Sequence, residues 1–207
     1  MDWDKKYKYT KEIRKKYRRI YDVPKKKSTS SILKFAIKDQ NIKKILEIGA
    51  GSNTRKKEFS SLLPNAVYKT MDIDTSTKQD FYNINEITEK FDLVIGLELI
   101  EHIEKNNFEK FCGQISNLVD KNGSLILSTP NIFHPNRYFK DYTHNIALCY
   151  DELASVFMTF GFKSCFPFRC YRDSFLRRIA REYLFSWLYR LLEIDYAKQI
   201  MVVFRKE

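Results

Sequence analysis

Lys44-Ile-Leu-Glu-Ile-Gly-Ala-Gly-Ser52 decides the fold. A short apolar run closed by Gly-Ala-Gly predicts a buried strand over 44–48 that ends in a tight turn, with helix-like sequence following from about Thr54 to Leu63. Between a strand and a helix, glycines let the backbone approach a nucleotide-like ligand at the carboxyl edge of a parallel sheet, because no Cβ holds the ligand off. The third glycine of a G-x-G-x-x-G pattern would fall at Thr54, so the close packing around a pyrophosphate is not specified and a dehydrogenase is disfavoured. Asp72 follows Gly51 by 21 positions, near the interval of about 20 expected for a carboxylate that takes a ribose diol. A ribose-bearing cofactor is therefore expected. Glu47 interrupts an apolar strand, where an uncompensated carboxylate is costly to bury, so a ligand or a donor network is expected around it.

Outward from this stretch, strand-like and helix-like segments alternate. Strands are predicted over 66–71, 80–82, 92–97, 123–129, 162–168 and 199–206, and helices over 30–39, 106–120 and 150–160. That rhythm means parallel pairing with helices on both faces, a doubly wound α/β sheet in a single domain spanning 1–207. Residues 173–194 are helical in pattern, with a wide apolar arc opposite Arg177, Arg178, Arg181 and Glu182. This inserted amphipathic helix packs on its own core, covers a pocket, meets a second subunit or lies on a membrane surface.

Four segments carry a family resemblance: Ile45-Leu-Glu-Ile-Gly-Ala-Gly51, Met71-Asp-Ile-Asp74, Phe91-Asp-Leu-Val-Ile-Gly-Leu-Glu-Leu-Ile-Glu-His102 and Gly123-Ser-Leu-Ile-Leu-Ser-Thr-Pro-Asn131. Over about residues 30–165 and the final strand, the chain resembles the class I S-adenosylmethionine-dependent methyltransferases. The resemblance implies a Rossmann-like seven-stranded sheet whose last strand is antiparallel, and S-adenosyl-L-methionine as cofactor. Carried over by position, Glu47 and the backbone of Gly49, Ala50 and Gly51 hold the methionine moiety, Asp72 takes the ribose hydroxyls and Ile73 packs on the adenine. Asn83 stands where an acidic residue often accepts from the adenine amino group, and Leu97 and Glu98 line the sulfonium with His102 behind them. The fourth strand is followed by no Asn/Asp-Pro-Pro-aromatic stretch and there is no Pro-Cys nucleophile, which turns the reading away from base amino groups and cytosine carbon and toward an oxygen acceptor.

The segment Asn131 to Asn145 holds two of the three histidines. Imidazole ordinarily titrates near pH ~6.5, so His134 or His144 suits a general base, with Asp141 orienting it and Arg137 and Tyr142 meeting the substrate. No metal is required for such a transfer, and Cys112, Cys149, Cys165 and Cys170 contain no C-x-x-C pair, which argues against a zinc site or a disulfide framework.

The net charge of +11 is unevenly placed: residues 1–27 carry +8, residues 168–207 carry +4, and the middle carries −1. A neutral module with a basic N-terminal extension (1–29) and a basic end points to an anionic partner. No apolar run reaches the roughly 20 residues of a membrane span and the N-terminus lacks a signal-peptide pattern, so a cytoplasmic protein, peripheral at the inner membrane face, is expected. The expected activity is methyl transfer to an oxygen of a small-molecule or glycan acceptor, lipid-linked or phosphorylated. Two other readings stay open. One is an RNA methyltransferase whose N-terminal Trp3, Tyr7, Tyr9, Tyr17 and Tyr21 stack on bases, and the other a non-catalytic cofactor-binding scaffold. Whether the chain forms a homo-oligomer is left open.

Overall fold

The computed structural model describes residues 1–52, 55–171 and 173–206. Its single sheet contains β1 (Lys25–Lys26), β2 (Lys44–Ile48), β3 (Val67–Met71), β4 (Phe91–Leu97), β5 (Val119–Pro130), β6 (Ser164–Cys170) and β7 (Gln199–Arg205). They are ordered β1-β6-β7-β5-β4-β2-β3. Strand β2 pairs parallel with β3 and β4, β4 pairs parallel with β5, and β7 lies antiparallel between β5 and β6. This is the Rossmann-like sheet with an antiparallel last strand. Its order reverses between β2 and β4, and a crevice opens at the carboxyl ends of such a pair.

Side-chain alternation builds two apolar layers. Leu46, Ile48, Val94, Leu125 and Val202 face one way, toward α1 (Trp3–Lys16), α4 (Phe108–Leu118) and α5 (Tyr150–Met158), where Ile13, Ile115, Leu153 and Phe157 are buried. Ile45, Leu93, Ile95, Ile126 and Met201 face the other way, against Ile32, Leu33 and Ala36 of α2 (Thr29–Ile37) and Phe59 of α3 (Lys56–Leu62).

Three expectations are corrected. Residues 80–82 form no strand: Phe81 makes a single bridge to Met71, because the Asp80 carboxylate accepts from the Thr70 amide (2.8 Å) and hydroxyl (3.1 Å) and turns the chain. The seventh strand is β1, parallel to β6 at the opposite edge, so the basic extension is partly built into the sheet. Helix α1 packs on α5, with Arg14 paired to Asp151 (2.5 Å), Lys6 to Glu152 (3.4 Å), and Ile13 and Tyr17 buried. The stretch 173–194 is also not one helix. It breaks into α6 (Phe175–Ile179), a π turn (Ala180–Leu184) and α7 (Ser186–Leu191), with most of its large apolar side chains exposed.

A buried ion pair ties these additions to the sheet. Arg169 of β6 donates to Asp195 (2.9 Å), to the Val23 carbonyl (2.9 Å) and to the Tyr21 carbonyl (3.1 Å). Asp195 also accepts from the Asn131 side-chain amide (2.9 Å), and the Tyr21 hydroxyl donates to the carbonyls of Tyr189 and Ile194. Removing one partner of a buried pair strands the other charge, so Arg169→Met should cost about 3–5 kcal/mol in urea unfolding. A loss below about 1 kcal/mol would show that the pair does not organise this edge.

Candidate active site

The turn after β2 is left-handed at Gly49 (φ 72°) and Gly51 (φ 52°), as glycine readily permits. A Cβ at Gly49 would also crowd the Leu99 side chain, at 3.1 Å. Asp72 at the exit of β3 reaches across to the turn, its Oδ2 accepting from the Gly51 amide (2.8 Å) and its Oδ1 from the Asp74 amide (2.9 Å). Beside it, Ile73 is 80% exposed, an apolar surface left free against the turn. Gln79, which the sequence reading passed over, donates to the Gly51 carbonyl (2.7 Å), while its own buried Oε1 has no partner among the described residues. A shaped glycine turn, a fixed carboxylate, a free apolar face and an orphaned acceptor fit a nucleoside cofactor.

Several roles shift. The Gly49 and Ala50 amides both donate to the Met71 carbonyl, and that of Gly51 to Asp72, so the turn offers a ligand its shape rather than free donors. Glu47 is buried on the α2–α3 side, where the Tyr68 hydroxyl donates to it and Arg55 lies 3.5 Å away. Burial pushes its carboxyl up from the ordinary range, with the Tyr68 hydrogen bond and Arg55 acting in the opposite direction. The donor network expected around Glu47 is thus supplied by protein. Asn83 is exposed and caps the turn at Ile84–Glu86, its carbonyl oxygen accepting from the Asn85 backbone (2.9 Å) and side-chain (3.0 Å) amides, which takes it away from adenine.

At the end of β4, Leu97 is buried and Glu98 adopts φ 50°, a left-handed backbone that a residue with a Cβ rarely takes. Neighbouring strands hold it there. The Glu98 amide donates to the Ser128 hydroxyl (2.9 Å), and its carboxylate accepts from Gln199 (2.9 Å) and pairs with Arg137 (2.7 Å). Glu101, one turn on, is fully buried with both carboxyl oxygens unpartnered among the described residues. Burial, then the charge of Glu98, pushes its pKa up to about 8.

His102 belongs to a cluster with the loop after β5. Its ring packs edge-on against His144 at 4.9 Å. Thr143 gives its hydroxyl proton to Asp141 (2.7 Å), so His102 Nδ1 donates to Thr143 Oγ1 (2.9 Å). His144 Nδ1 donates to the Tyr138 carbonyl (2.7 Å), leaving Nε2 with a free lone pair in the neutral ring. Asp141 therefore orients His102 through Thr143, and the same contacts hold its carboxyl below the usual range. His134 stands apart: it is half-buried, its Nδ1 accepts from the Asn136 amide (3.4 Å), and burial followed by Lys198 and Arg181 lowers its pKa. Its Nδ1 lone pair is thus spent locally, and His134 is not part of the histidine pair. Tyr142 is 97% exposed.

A cavity of about 260 Å³ adjoins Glu98, lined by Lys27, Ser28, Arg55, Arg137, Lys198 and Gln199 among others. Four cations converge there, Lys27 from just after β1, Arg55 from the start of α3, Arg137 from the loop after β5 and Lys198 from just before β7. Of these the sequence reading named only Arg137. Lys27 sits in the basic run, but nothing local distinguishes it from its neighbours.

Residues 40–168 match the family described as mycolic acid cyclopropane synthetase. The chain belongs to this family. It is a class I S-adenosylmethionine-dependent methyltransferase, and S-adenosyl-L-methionine is its cofactor. A solved S-adenosylmethionine-dependent methyltransferase from Archaeoglobus fulgidus is similar at TM-score 0.65 and 12% identity, over 86% of this chain and 95% of that one. Phosphoethanolamine N-methyltransferase 2 from Haemonchus contortus is similar at TM-score 0.59 and 14% identity, over 85% of this chain and 51% of that one. An O-methyltransferase family protein from Burkholderia thailandensis gives TM-score 0.55 and 11% identity, over 86% and 56%. No curated protein matches by sequence. In this methyltransferase, Asp72→Ala removes charge-assisted bonds worth about 1.5–3 kcal/mol and should weaken cofactor binding 10-fold or more by calorimetry. Unchanged affinity would remove Asp72 from the cofactor site.

Proposed function

We propose that this methyltransferase acts on an oxygen of a small-molecule or glycan acceptor that carries a phosphate or carboxylate. The observation that carries the reading is the cavity beside Glu98, where Lys27, Arg55, Arg137 and Lys198 converge. Two of the four are offset, Arg55 by Glu47 and Arg137 by Glu98, whereas neither Lys27 nor Lys198 pairs with a carboxylate among the described residues. The N-terminus of α2, capped by Ser28, opens on the same space, and helix N-termini favour anions. A charged handle held here is positioned at the carboxyl edge of β4, next to the strand end that resembles the family's sulfonium-lining segment.

When bound, S-adenosylmethionine would supply a methyl group open to in-line displacement by an acceptor oxygen. The protein's part is to align the acceptor, exclude water and see a hydroxyl proton removed. His144 Nε2 keeps a free lone pair, as His102 Nε2 does, because its Nδ1 is committed to the Tyr138 carbonyl, and we assign His144 as the base. His144→Ala should keep cofactor affinity and lower turnover about 10²–10⁴-fold, the usual contribution of general acid–base catalysis.

A second observation favours a lipid-linked acceptor. Phe175, Leu176, Tyr183, Leu184, Trp187 and Leu191 are exposed on the insertion, with Arg177 and Arg190 exposed among them. Aromatic and aliphatic side chains interleaved with arginine suit an anionic lipid surface. No described helix is long and apolar enough to cross a membrane, so contact would be peripheral. The RNA alternative loses two of its five stacking rings, since Tyr17 is buried and the Tyr21 hydroxyl is bonded to the insertion.

A panel of sugar phosphates, lipid-linked sugar phosphates, neutral glycans and RNA, assayed with labelled cofactor, tests the reading. Transfer to phosphate-bearing glycans, inhibited competitively by inorganic pyrophosphate and weakened at least 10-fold in KM by Lys27→Ala/Lys198→Ala, is expected. Transfer confined to neutral glycans or to RNA would overturn it. Sedimentation with anionic vesicles, lost in Leu176→Glu/Trp187→Glu, checks the membrane contact; equal sedimentation of both proteins contradicts it.

A further inference from the structure

We infer that Glu101, His102 and His144 form a binding site for one divalent first-row transition cation at the edge of the acceptor cleft. The inference deepens the oxygen-acceptor reading and rests on it for the cation's role, though not for its binding. One carboxylate oxygen of Glu101 and one ring nitrogen of each histidine lie within 4.8 Å of one another. Bonds of roughly 2.0–2.2 Å to a shared ion bring such ligands about 3–3.5 Å apart, a closure that side-chain rotation supplies.

Proximity is joined by two independent features. Glu101 is 0% exposed, and neither of its carboxyl oxygens makes a hydrogen bond of good geometry among the described residues, with only the Thr129 hydroxyl and its own backbone amide acting on it weakly. A buried polar group is normally satisfied, and one left open wants a ligand. The second feature is the arrangement behind the rings. His144 Nδ1 donates to the Tyr138 carbonyl, and His102 Nδ1 donates to Thr143 Oγ1, whose own proton goes to Asp141. Metal-binding histidines characteristically donate their second ring nitrogen to a carbonyl or carboxylate, which fixes the tautomer and the ring orientation. Both Nε2 atoms thus remain as lone pairs.

Two imidazoles and one carboxylate suit manganese, iron, cobalt or zinc and leave further coordination positions open. Glu101 follows Glu98 by three residues at the exit of β4, and Glu98 and Arg137 line the basic cavity, which puts the site on the same strand end as the acceptor cleft. There a cation would hold the acceptor hydroxyl and lower its pKa, the proton leaving to solvent water. His102 and His144 then serve as ligands, and His144 is no longer the base.

Cobalt(II) titrated into chelator-treated full-length protein tests this by its visible absorption. One equivalent should bind with ligand-field bands in wild type. Glu101→Gln, which keeps the side chain's shape, and His144→Ala should each weaken binding at least 100-fold while retaining the wild-type circular dichroism spectrum. Thr143→Val, which cuts the link from His102 to Asp141, should weaken it about 10–100-fold. No stoichiometric band, or binding unchanged in Glu101→Gln and His144→Ala, overturns the site. If cobalt fails to bind while transfer survives chelation, the cation is refuted and the oxygen-acceptor reading, with His144 as base, stands. Cation binding without transfer to any oxygen acceptor supports the site and refutes the acceptor reading.

Discussion

Leu99 is wedged between the exits of two adjacent parallel strands, and the shape of this protein's working edge depends on it. Its side chain occupies the room left by Gly49 after β2 and by Gly96 within β4; a Cβ at either glycine would come within 3.1 Å of it. On either side of it the strands leave the sheet through left-handed residues, Gly49 after β2 and Glu98 after β4. Glycine accepts this conformation freely, whereas Glu98 is held in it by Ser128, Gln199 and Arg137. The crevice at the reversal of strand order therefore has one wall shaped for close approach and one wall carrying charge.

Polar burial divides between support and function. Arg169, Asp195 and Asn131 satisfy one another and bind the N-terminal segment and the insertion to the sheet. Tyr68 and Arg55 do the same for Glu47. Among the groups left unsatisfied are Gln79 Oε1 beside the glycine turn and the Glu101 carboxyl beside the histidines, together with Ser116 Oγ, Thr129 Oγ1, Arg137 Nε and Arg178 Nε. An unpaired buried polar atom costs about 1–3 kcal/mol, and part of that cost falls at the two places where ligands are expected.

What was legible in the sequence was local. The strand at 44–48, the glycine turn and Asp72 lie within 30 residues, and their spacing encodes their meeting. The two-residue β1 has no pattern of its own and exists through pairing with β6, more than 140 residues away. Asp80-Phe81-Tyr82 has the composition of a strand, but the Asp80 carboxylate and Tyr82 hydroxyl serve the turn instead. His102 read as part of the β4 motif, whereas its hydrogen bond to Thr143 and its packing on His144 come from the loop after β5. Lys27 and Lys198 reach one cavity only because β1 and β7 bring chain ends together.

The central claim is that cofactor and anionic acceptor meet at this edge. A crystal structure grown with S-adenosylhomocysteine and pyrophosphate tests it most directly. The account predicts ribose hydroxyls on Asp72 along the Gly49–Gly51 turn and pyrophosphate among Lys27, Arg137 and Lys198. Cofactor density away from that turn, or pyrophosphate bound elsewhere while these three side chains stay free, would contradict it.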